Sequence, residues 1–274
     1  LLNSKSKQHP NGLGNSSNLV GKYLHDSTGG DMMAFIPELI DRKTYNEDGV
    51  GGMHVYSPWW LDNKNLNFPR GYHIEVWGGM GAPSYGTGFN VNNFNKFFGI
   101  NNAGGYGDVL RSDMKKYYGS TIGISGRGES IAQKTNYCEI DPNKVDKYGV
   151  PVLRFNYQWT ENEINQAKHM QDTFEEIIHN MGGIPLWAKP DKKSNFGLNK
   201  PGWIIHEVGT TRMGNNPKKS VVNQYEQLHD VSNVFVVDAG PFVSQADKNP
   251  TWTIMALAWR SSEYIIDQLK KQNL

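Results

Sequence analysis

The sequence predicts a mixed fold of the α+β class, and three observations support this prediction. A long stretch after Thr160 has apolar residues at helical spacing, and a second helical stretch begins near Pro250. Residues 72–77 and 152–157 have the alternation and the β-branched residues that are typical of strands. The 30 glycines and 13 prolines among the 274 residues indicate many turns and irregular loops between these elements.

The first of these strands, residues 72–77, lies in a loop-rich part of the chain. Its sequence, YHIEVW, alternates as a half-buried strand would. The same part of the chain contains one clear helical pattern, at residues 108–118, followed later by the strand at 152–157. We therefore expect a domain in which a few strands are joined by long irregular connections.

The clearest helix follows Thr160. With Glu163 three positions later, Thr160 forms a capping box, which satisfies free backbone N–H groups at a helix start. Gly182-Gly183 predicts its end, because glycine readily adopts the left-handed conformation that closes many helices. The apolar positions of its predicted core face are Ile164, Ala167, Met170, Phe174, Ile177, Ile178 and Met181.

In the last quarter of the chain, polar residues stand at the ends of apolar segments in three places. The run Trp203-Ile204-Ile205 leads into His206, and the run Val234–Val237 ends on Asp238, before a turn at Ala239-Gly240-Pro241. A helix then begins around Asn249-Pro250-Thr251. We interpret these pieces as two strand ends and one helix start, an arrangement that commonly brings polar groups into one site.

The chemistry of these points can be interpreted residue by residue. Proline is favoured at the first helical position, so Pro250 fits that position and Asn249 fits the N-cap. The free N–H groups of a helix start suit a phosphate or a group that becomes anionic. His206 is the obvious titratable base, since imidazole can accept a proton near neutral pH.

Composition narrows the range of functions. The net charge of +1 argues against a dedicated nucleic-acid surface, and no apolar run approaches the length of a membrane span. Cys138 is the one cysteine, so an internal disulfide is impossible and we expect a buried structural thiol. The histidines at positions 9, 25, 54 and 73 lack metal-ligand spacing, so no metal site is predicted.

Three motifs in the last quarter of the chain occur in a specific order and spacing. They are His206 with Val208-Gly209-Thr210-x-Arg212-Met213-Gly214, then Val237-Asp238, then Asn249-Pro250-Thr251-x-Thr253-Ile254-Met255-Ala256-Leu257-Ala258-x-Arg260. Together they resemble the C-terminal end of the glucose–methanol–choline (GMC) oxidoreductases. The version with Arg-Met-Gly and Asn-Pro-Thr is similar to bacterial sugar dehydrogenases of the gluconate and glucoside type.

The resemblance implies an activity and a set of site residues. It implies FAD-dependent oxidation of a CH–OH group of a sugar or related alcohol, with hydride transfer to flavin N5. His206 would be the base, and Asn249 would flank the same substrate hydroxyl. Contacts to FAD would come from Asp238, Ala239, Gly240, Asn249, Pro250 and Thr251. A dehydrogenase that passes electrons to a cytochrome or quinone fits better than an oxidase, and the compartment, periplasm or cytoplasm, stays open.

The resemblance also implies a domain organisation. Members of the family are roughly twice as long and open with a glycine-rich βαβ unit for the ADP half of FAD. No such motif stands out here: Gly79-Met80-Gly81 has Ser84 where a third glycine is needed and Pro83 inside the first helical turn. We therefore expect a C-terminal portion of a GMC protein, with exposed apolar surface where the remainder would pack.

The expected divisions of this portion are three. Residues 1–27 would be a remnant of the FAD domain, residues 28–200 a substrate-binding domain with an antiparallel sheet and helices, and residues 201–274 the catalytic, FAD-contacting segment. In this fold class the last segment is a remnant of an FAD-binding Rossmann-like domain. Within 1–27, the family usually ends the segment Asp-His, whereas Asp26 is followed here by Ser27.

Several alternatives stay open at this point. The chain could be a non-catalytic fragment, or a substrate-binding module that needs a separate FAD-binding chain. Asn249 could simply cap its helix, Asp238 could cap the turn at Gly240, and His206 could be a buried histidine held by Thr210 or by a backbone carbonyl. The indole rings of residues 59, 60 and 77 could line a sugar site, or could pack in the core.

Overall fold

The computed structural model describes residues 1–40, 55–57, 65–78 and 107–274. Trp59, Trp60, His54 and the Gly79–Gly81 turn lie outside the described residues, as does the Trp77 side chain. The chain divides into two compact units. We call residues 29–127 and 161–199 the sheet unit, and residues 1–28, 128–160 and 200–274 the loop unit.

The described elements confirm the α+β class. In chain order they are β1 (Thr28–Phe35), a 3-10 turn (Pro37–Leu39), β2 (Val55–Ser57), β3 (Tyr72–Gly78), α1 (Asp108–Tyr117), β4 (Thr121–Gly128), β5 (Tyr137–Val145), β6 (Pro151–Asn156), α2 (Glu161–Asn180), β7 (Ile184–Pro185), a 3-10 turn (Lys192–Gly197) and α3 (Thr251–Lys270). Strand order in the five-stranded sheet is β2-β3-β4-β1-β7, with β2–β3 and β1–β7 antiparallel.

The core of the sheet unit lies between the sheet and one face of α2. Met170, Phe174 and Ile178 recur at intervals of four residues and are fully buried. They pack in one cluster with Ile74 of β3 and Ile124 of β4. The helical spacing in the sequence thus predicted the packing face of α2 correctly at these positions, whereas Met181, predicted on the same face, is exposed.

Local sequence signals also placed the ends of these elements closely. The predicted helix at 108–118 is observed at Asp108–Tyr117, and the predicted strands at 72–77 and 152–157 are observed at Tyr72–Gly78 and Pro151–Asn156. Gly182 ends α2 in the left-handed conformation, with a φ of 65° and its N–H bonded to the His179 carbonyl.

The loop unit contains a two-stranded antiparallel ribbon, β5–β6, and a stack of hydrogen-bonded segments without long strands. In this stack the segment that follows His206 is the middle layer. It bonds to residues 21–25 on one side, through Gly21 N to Thr210 O (2.7 Å) and His25 N to Val208 O (3.0 Å). On the other side Gly209 N, Thr211 N and Met213 N donate to the carbonyls of residues 239–241.

The prediction that two apolar runs in the last quarter are strands was wrong. Trp203-Ile204-Ile205 has no strand conformation, and Val234–Val237 contributes a single bridge, between Phe235 and Gln227. Ile205 has a φ of 58°, which breaks the extended backbone that a strand needs. Apolar composition alone misassigned these runs, because a strand also requires a paired neighbour.

Helix α3 is anchored at one place and exposed along much of its length. Ser261 is its buried residue and donates to Glu226 Oε2 (2.6 Å), while Tyr264 stacks on Tyr225 at 4.0 Å. In contrast, Trp252 and Trp259 are 87% and 71% exposed. These side chains give α3 an exposed apolar surface.

Two smaller expectations concern Cys138 and the membrane. Cys138 is buried, and burial raises the pKa of its thiol, as expected of a structural cysteine. Among the residues that the structure describes, no helix combines the length and the apolar character needed to cross a membrane.

Gly209 gives a test of the stacked segments. Its φ is 100°, and a Cβ there would collide with the Tyr23 carbonyl and lie 2.6 Å from the His25 ring. We expect Gly209→Ala to lower the free energy of unfolding by roughly 3 kcal/mol or more. The Tyr23 carbonyl belongs to the backbone, so it cannot move aside for the new Cβ as a flexible side chain could. Gly182→Ala is the matched control: its φ of 65° is also positive but the space is open, so we expect a loss of about 1 kcal/mol.

Urea unfolding of the two variants and the wild type measures this difference. Equal losses for Gly209→Ala and Gly182→Ala would contradict the close packing of residue 209 against residues 23–25.

Candidate active site

The carboxylate of Asp26 is the hub of the candidate site. Its Oδ1 accepts the backbone N–H of Ser27 (2.8 Å) and that of His206 (3.0 Å), and its Oδ2 accepts the N–H of Gly202 (3.0 Å). Asp26 is fully buried. One side chain thereby fixes the segment 202–206, which lies about 180 positions away along the sequence.

The backbone of Asp26 is also held on both sides. Its N–H donates to the Tyr157 hydroxyl (2.9 Å), and its carbonyl accepts the hydroxyl of Ser130 (2.6 Å). The Tyr157 ring in turn packs edge-on against Trp159 at 5.0 Å between centroids. These contacts hold the Asp26 backbone in place, so its carboxylate does not move as that of an exposed surface residue would.

Burial raises the pKa of the Asp26 carboxyl from 3.8 to about 6. Loss of hydration is the largest cause, since the charged form is stabilised by water that burial removes. The amide hydrogen bonds from His206, Ser27 and Gly202 act in the opposite direction, and the nearby charge of Glu207 adds to the increase.

His206 lies against Ser27. The Ser27 Oγ is 3.3 Å from His206 Nδ1 and accepts the side-chain amide of Gln245 (3.0 Å). Ser27 and Gln245 are almost fully buried, whereas His206 is half-buried. The Nδ1 edge of the imidazole thus contacts Ser27 of the buried pair Ser27 and Gln245, and the ring as a whole stays partly accessible to solvent.

The residue before His206 has an unusual backbone. Ile205 is β-branched and has a φ of 58°, in the left-handed region that such residues rarely adopt. Its side chain is 78% exposed, so burial does not compensate for the strain. The hydrogen bond from His206 N–H to Asp26 lies directly after this position and holds the backbone there.

The turn at 238–240 is closed by Asp238. Its Oδ1 accepts the N–H of Gly240 (2.7 Å), as the capping interpretation of Asp238 predicts. Asp238 is exposed and Ala239 is half-buried, while Gly240 is buried against the Thr211 hydroxyl, with no room for a Cβ. The Thr211 hydroxyl is itself buried and has no hydrogen-bond partner among the residues that the structure describes.

A cavity of about 520 Å³ lies beside this turn. Asp238, Thr210, Thr211 and Asn3 supply its polar lining. Apolar walls come from several segments of the loop unit: Leu1, Leu2, Val20, Ile140, Leu153 and Val234–Val237. A mostly apolar cavity of this size with a few polar groups on one side is typical of sites for small molecules and cofactors.

Asn249, Pro250 and Thr251 lie at the start of α3. The helix begins at Thr251, with Pro250 at its N-cap, so the predicted positions of Asn249 and Pro250 are each off by one. Pro250 already has helical angles and its carbonyl accepts the N–H of Ile254, which explains the shift. Asn249 is exposed, and within the described ranges its side chain makes no hydrogen bond.

The structure brings some of the predicted residues together and not others. His206 and the turn at 238–240 are joined through the backbone of Gly209 and Thr211, which bonds to residues 239 and 240. No hydrogen bond links His206 with Asn249 among the described residues. Sequence reasoning gave no role to Asp26, Ser27 or Gln245, whose contacts span about 180 to 220 positions and leave no local pattern.

Metal chemistry has no support in the described part of the chain. Among residues 1–40, 55–57, 65–78 and 107–274, no group of three or more His, Cys, Asp or Glu side chains could hold a metal ion. The half-buried His206, whose ring contacts Ser27, gives this α+β protein a candidate acid–base site.

Comparison with known proteins gives the family. Residues 133–258 match the C-terminal family model described as GMC oxidoreductase. Over 97% of its length the chain is 32% identical to the 2-methyl-1,2-propanediol dehydrogenase of Mycolicibacterium austroafricanum, and it covers 45% of that protein. It is 30% identical, over 61% of its length, to the gluconate 2-dehydrogenase flavoprotein of Pantoea cypripedii, covering 27% of it. Residues 133–258 therefore carry the C-terminal domain of the GMC oxidoreductases.

A solved structure shows the same fold at low identity. The formate oxidase of Aspergillus oryzae RIB40 aligns with a TM-score of 0.58 at 13% identity, over 93% of this chain and 48% of the oxidase. The chain thus spans less than half the length of each of these known proteins.

The raised pKa of Asp26 predicts a pH dependence of stability. The folded carboxyl holds its proton up to about pH 6, whereas the unfolded one releases it near 3.8, so wild-type stability falls as the pH rises between these values. Asparagine does not titrate. Relative to wild type, Asp26→Asn should therefore gain up to about 3 kcal/mol in free energy of unfolding between pH 4 and pH 7.

Urea unfolding of both proteins at four pH values measures the gain. The raised pKa would be contradicted if the difference in free energy of unfolding between Asp26→Asn and wild type did not change with pH. It would also be contradicted if wild type became the more stable of the two as the pH rises.

Proposed function

We propose that this chain carries the catalytic side of an FAD-dependent oxidation of a CH–OH group in a sugar or related alcohol, as a dehydrogenase. The observation that carries the proposal is a half-buried histidine, His206, held by buried polar groups and followed by a segment that leads to an apolar cavity. The match to the C-terminal domain of the GMC oxidoreductases supports it, as do the dehydrogenases among its relatives.

His206 would act as the base. Its Nδ1 rests against Ser27, so proton transfer with a substrate would use Nε2. The ring would accept the hydroxyl proton while the alcohol carbon loses hydride. Base assistance of this kind is worth roughly 10²- to 10⁴-fold in rate.

The cavity beside Asp238 would hold a part of FAD. Its size, its apolar walls and the polar side chains of Asp238 and Thr210 suit a ligand that is largely apolar and carries a few polar groups. Asp238, Ala239 and Gly240 would hold the cofactor at the turn. Bound FAD would supply the acceptor for the hydride that leaves the alcohol carbon.

The start of α3 would contribute the remaining contacts. Free N–H groups at Thr251 and beyond carry partial positive charge, which favours negative charge nearby, and Pro250 directs the helix start. The exposed Asn249 side chain would be available to orient the substrate oxygen. A cytochrome or quinone as electron acceptor, and the domain boundaries at 27/28 and 200/201, remain parts of the proposal.

A second candidate function has its own supporting observation. The exposed indoles of Trp252 and Trp259 on α3, with Met255 between them, give the chain an apolar surface that water does not favour. This surface suits a substrate-binding module that works with a separate FAD-binding chain. In that case the residues of the loop unit would complete a site only in the complex.

His206→Ala tests the base. In the FAD-loaded protein we expect the rate of flavin reduction by the alcohol to fall roughly 10²- to 10⁴-fold, because the proton acceptor is removed. FAD content should be unchanged. Stopped-flow absorbance in the flavin bands measures the rate, and His9→Ala is the control, because His9 is also half-buried but has no hydrogen bond to Asp26. An unchanged rate in His206→Ala would contradict the proposal.

Absorbance of the purified chain after incubation with FAD and gel filtration separates the two candidates. A chain that stays yellow and reduces a dye with an alcohol supports the catalytic proposal. A colourless chain supports the module that needs a partner.

A further inference from the structure

We propose that Asp26 is a positioning residue for His206, one whose buried carboxylate sets the place of the imidazole without touching substrate. This inference rests on the proposed role of His206 as the base. On this proposal, part of the rate enhancement of flavin reduction depends on Asp26, because it holds His206 in place.

The geometry of the carboxylate is the first step. Three backbone N–H groups from two distant segments converge on it, two on Oδ1 and one on Oδ2. Gly202 and His206 are thus fixed at both ends of the short segment that presents the imidazole. A charged acceptor makes such hydrogen bonds about twice as strong as neutral ones, so the segment has little freedom while Asp26 is in place.

The shared oxygen is the second step. Because Oδ1 accepts both the Ser27 and the His206 N–H, these two residues are held side by side. Their side chains then meet, with Ser27 Oγ 3.3 Å from His206 Nδ1. The orientation of the ring is therefore a consequence of how Asp26 places the two backbones.

The backbone of Ile205 is the third step. Its left-handed conformation is unfavourable for a β-branched residue and would relax if nothing held it. The bond from His206 N–H to Asp26 opposes that relaxation. Loss of the carboxylate should let residues 202–206 rearrange and carry the imidazole away from its place.

Two variants of Asp26 test the proposal. Asp26→Ala removes all three acceptors. Asp26→Asn keeps one carbonyl oxygen, which can still accept the Ser27 and His206 N–H groups, and leaves the Gly202 N–H without its partner. Asp230→Ala is the control for loss of a carboxylate that accepts a backbone N–H: the exposed Asp230 accepts the N–H (3.0 Å) and the hydroxyl of Ser16 in the loop unit, and no bond from residues 202–206.

Amide hydrogen exchange in the chain itself is the first readout, at pH 7. We expect Asp26→Ala to lose protection at Ser27, Gly202 and His206 together, Asp26→Asn to lose it chiefly at Gly202, and Asp230→Ala to leave all three protected. Protection at His206 that is unchanged in Asp26→Ala would overturn the proposal.

Flavin reduction is the second readout. A small displacement of a catalytic group can cost up to about 100-fold in rate, so we expect Asp26→Ala to lower the limiting rate about 10- to 100-fold. The apparent substrate affinity should change little, and Asp26→Asn should restore most of the rate. Equal rates of flavin reduction in wild type and Asp26→Ala would overturn the positioning role of Asp26, even if His206→Ala is slow. A wild-type rate in His206→Ala would instead contradict the role of His206 as the base.

Discussion

A single buried carboxylate holds the candidate site together. Removing Asp26 from water is costly, and three backbone amides that converge on it offset part of that cost. The part of the desolvation cost that the amides do not offset raises the pKa of the Asp26 carboxyl to about 6. Without such a hub, an irregular loop such as 202–206 would have no regular hydrogen-bonding pattern to fix it.

The two units are stabilised in different ways. The sheet unit has an ordinary core in which an amphipathic helix packs on a sheet. The loop unit relies on backbone hydrogen bonds between irregular segments and on a few buried polar groups, such as Glu226 with Ser261. Irregular segments of this kind suit a site that has to present several polar groups from different parts of the chain.

Local signals predicted the regular elements well. The spacing of Met170, Phe174 and Ile178 predicted the core face of α2, and the alternation at 72–77 predicted β3, because both patterns reflect burial on one side of a repeating backbone. The apolar runs before His206 and Asp238 were misassigned as strands, because their conformation depends on neighbours that periodicity does not encode.

The candidate site was only partly predictable. His206 and Asp238 stood out because a titratable or capping side chain followed an apolar run in a recognisable motif. Asp26 meets His206, and Ser27 meets Gln245, only through the fold, and hydrogen bonds between residues so far apart leave no signal in the local sequence. The capping role of Asp238 was predictable because a turn places its partner, Gly240, two residues away.

The most direct measurement is a crystal structure of the protein with FAD and an unreactive alcohol analogue bound. The proposed function predicts the alcohol oxygen within roughly 2.6–3.2 Å of a ring nitrogen of His206, with FAD in contact with the turn at 238–240. An alcohol oxygen bound by a different titratable side chain, or FAD bound away from the cavity beside Asp238, would contradict it.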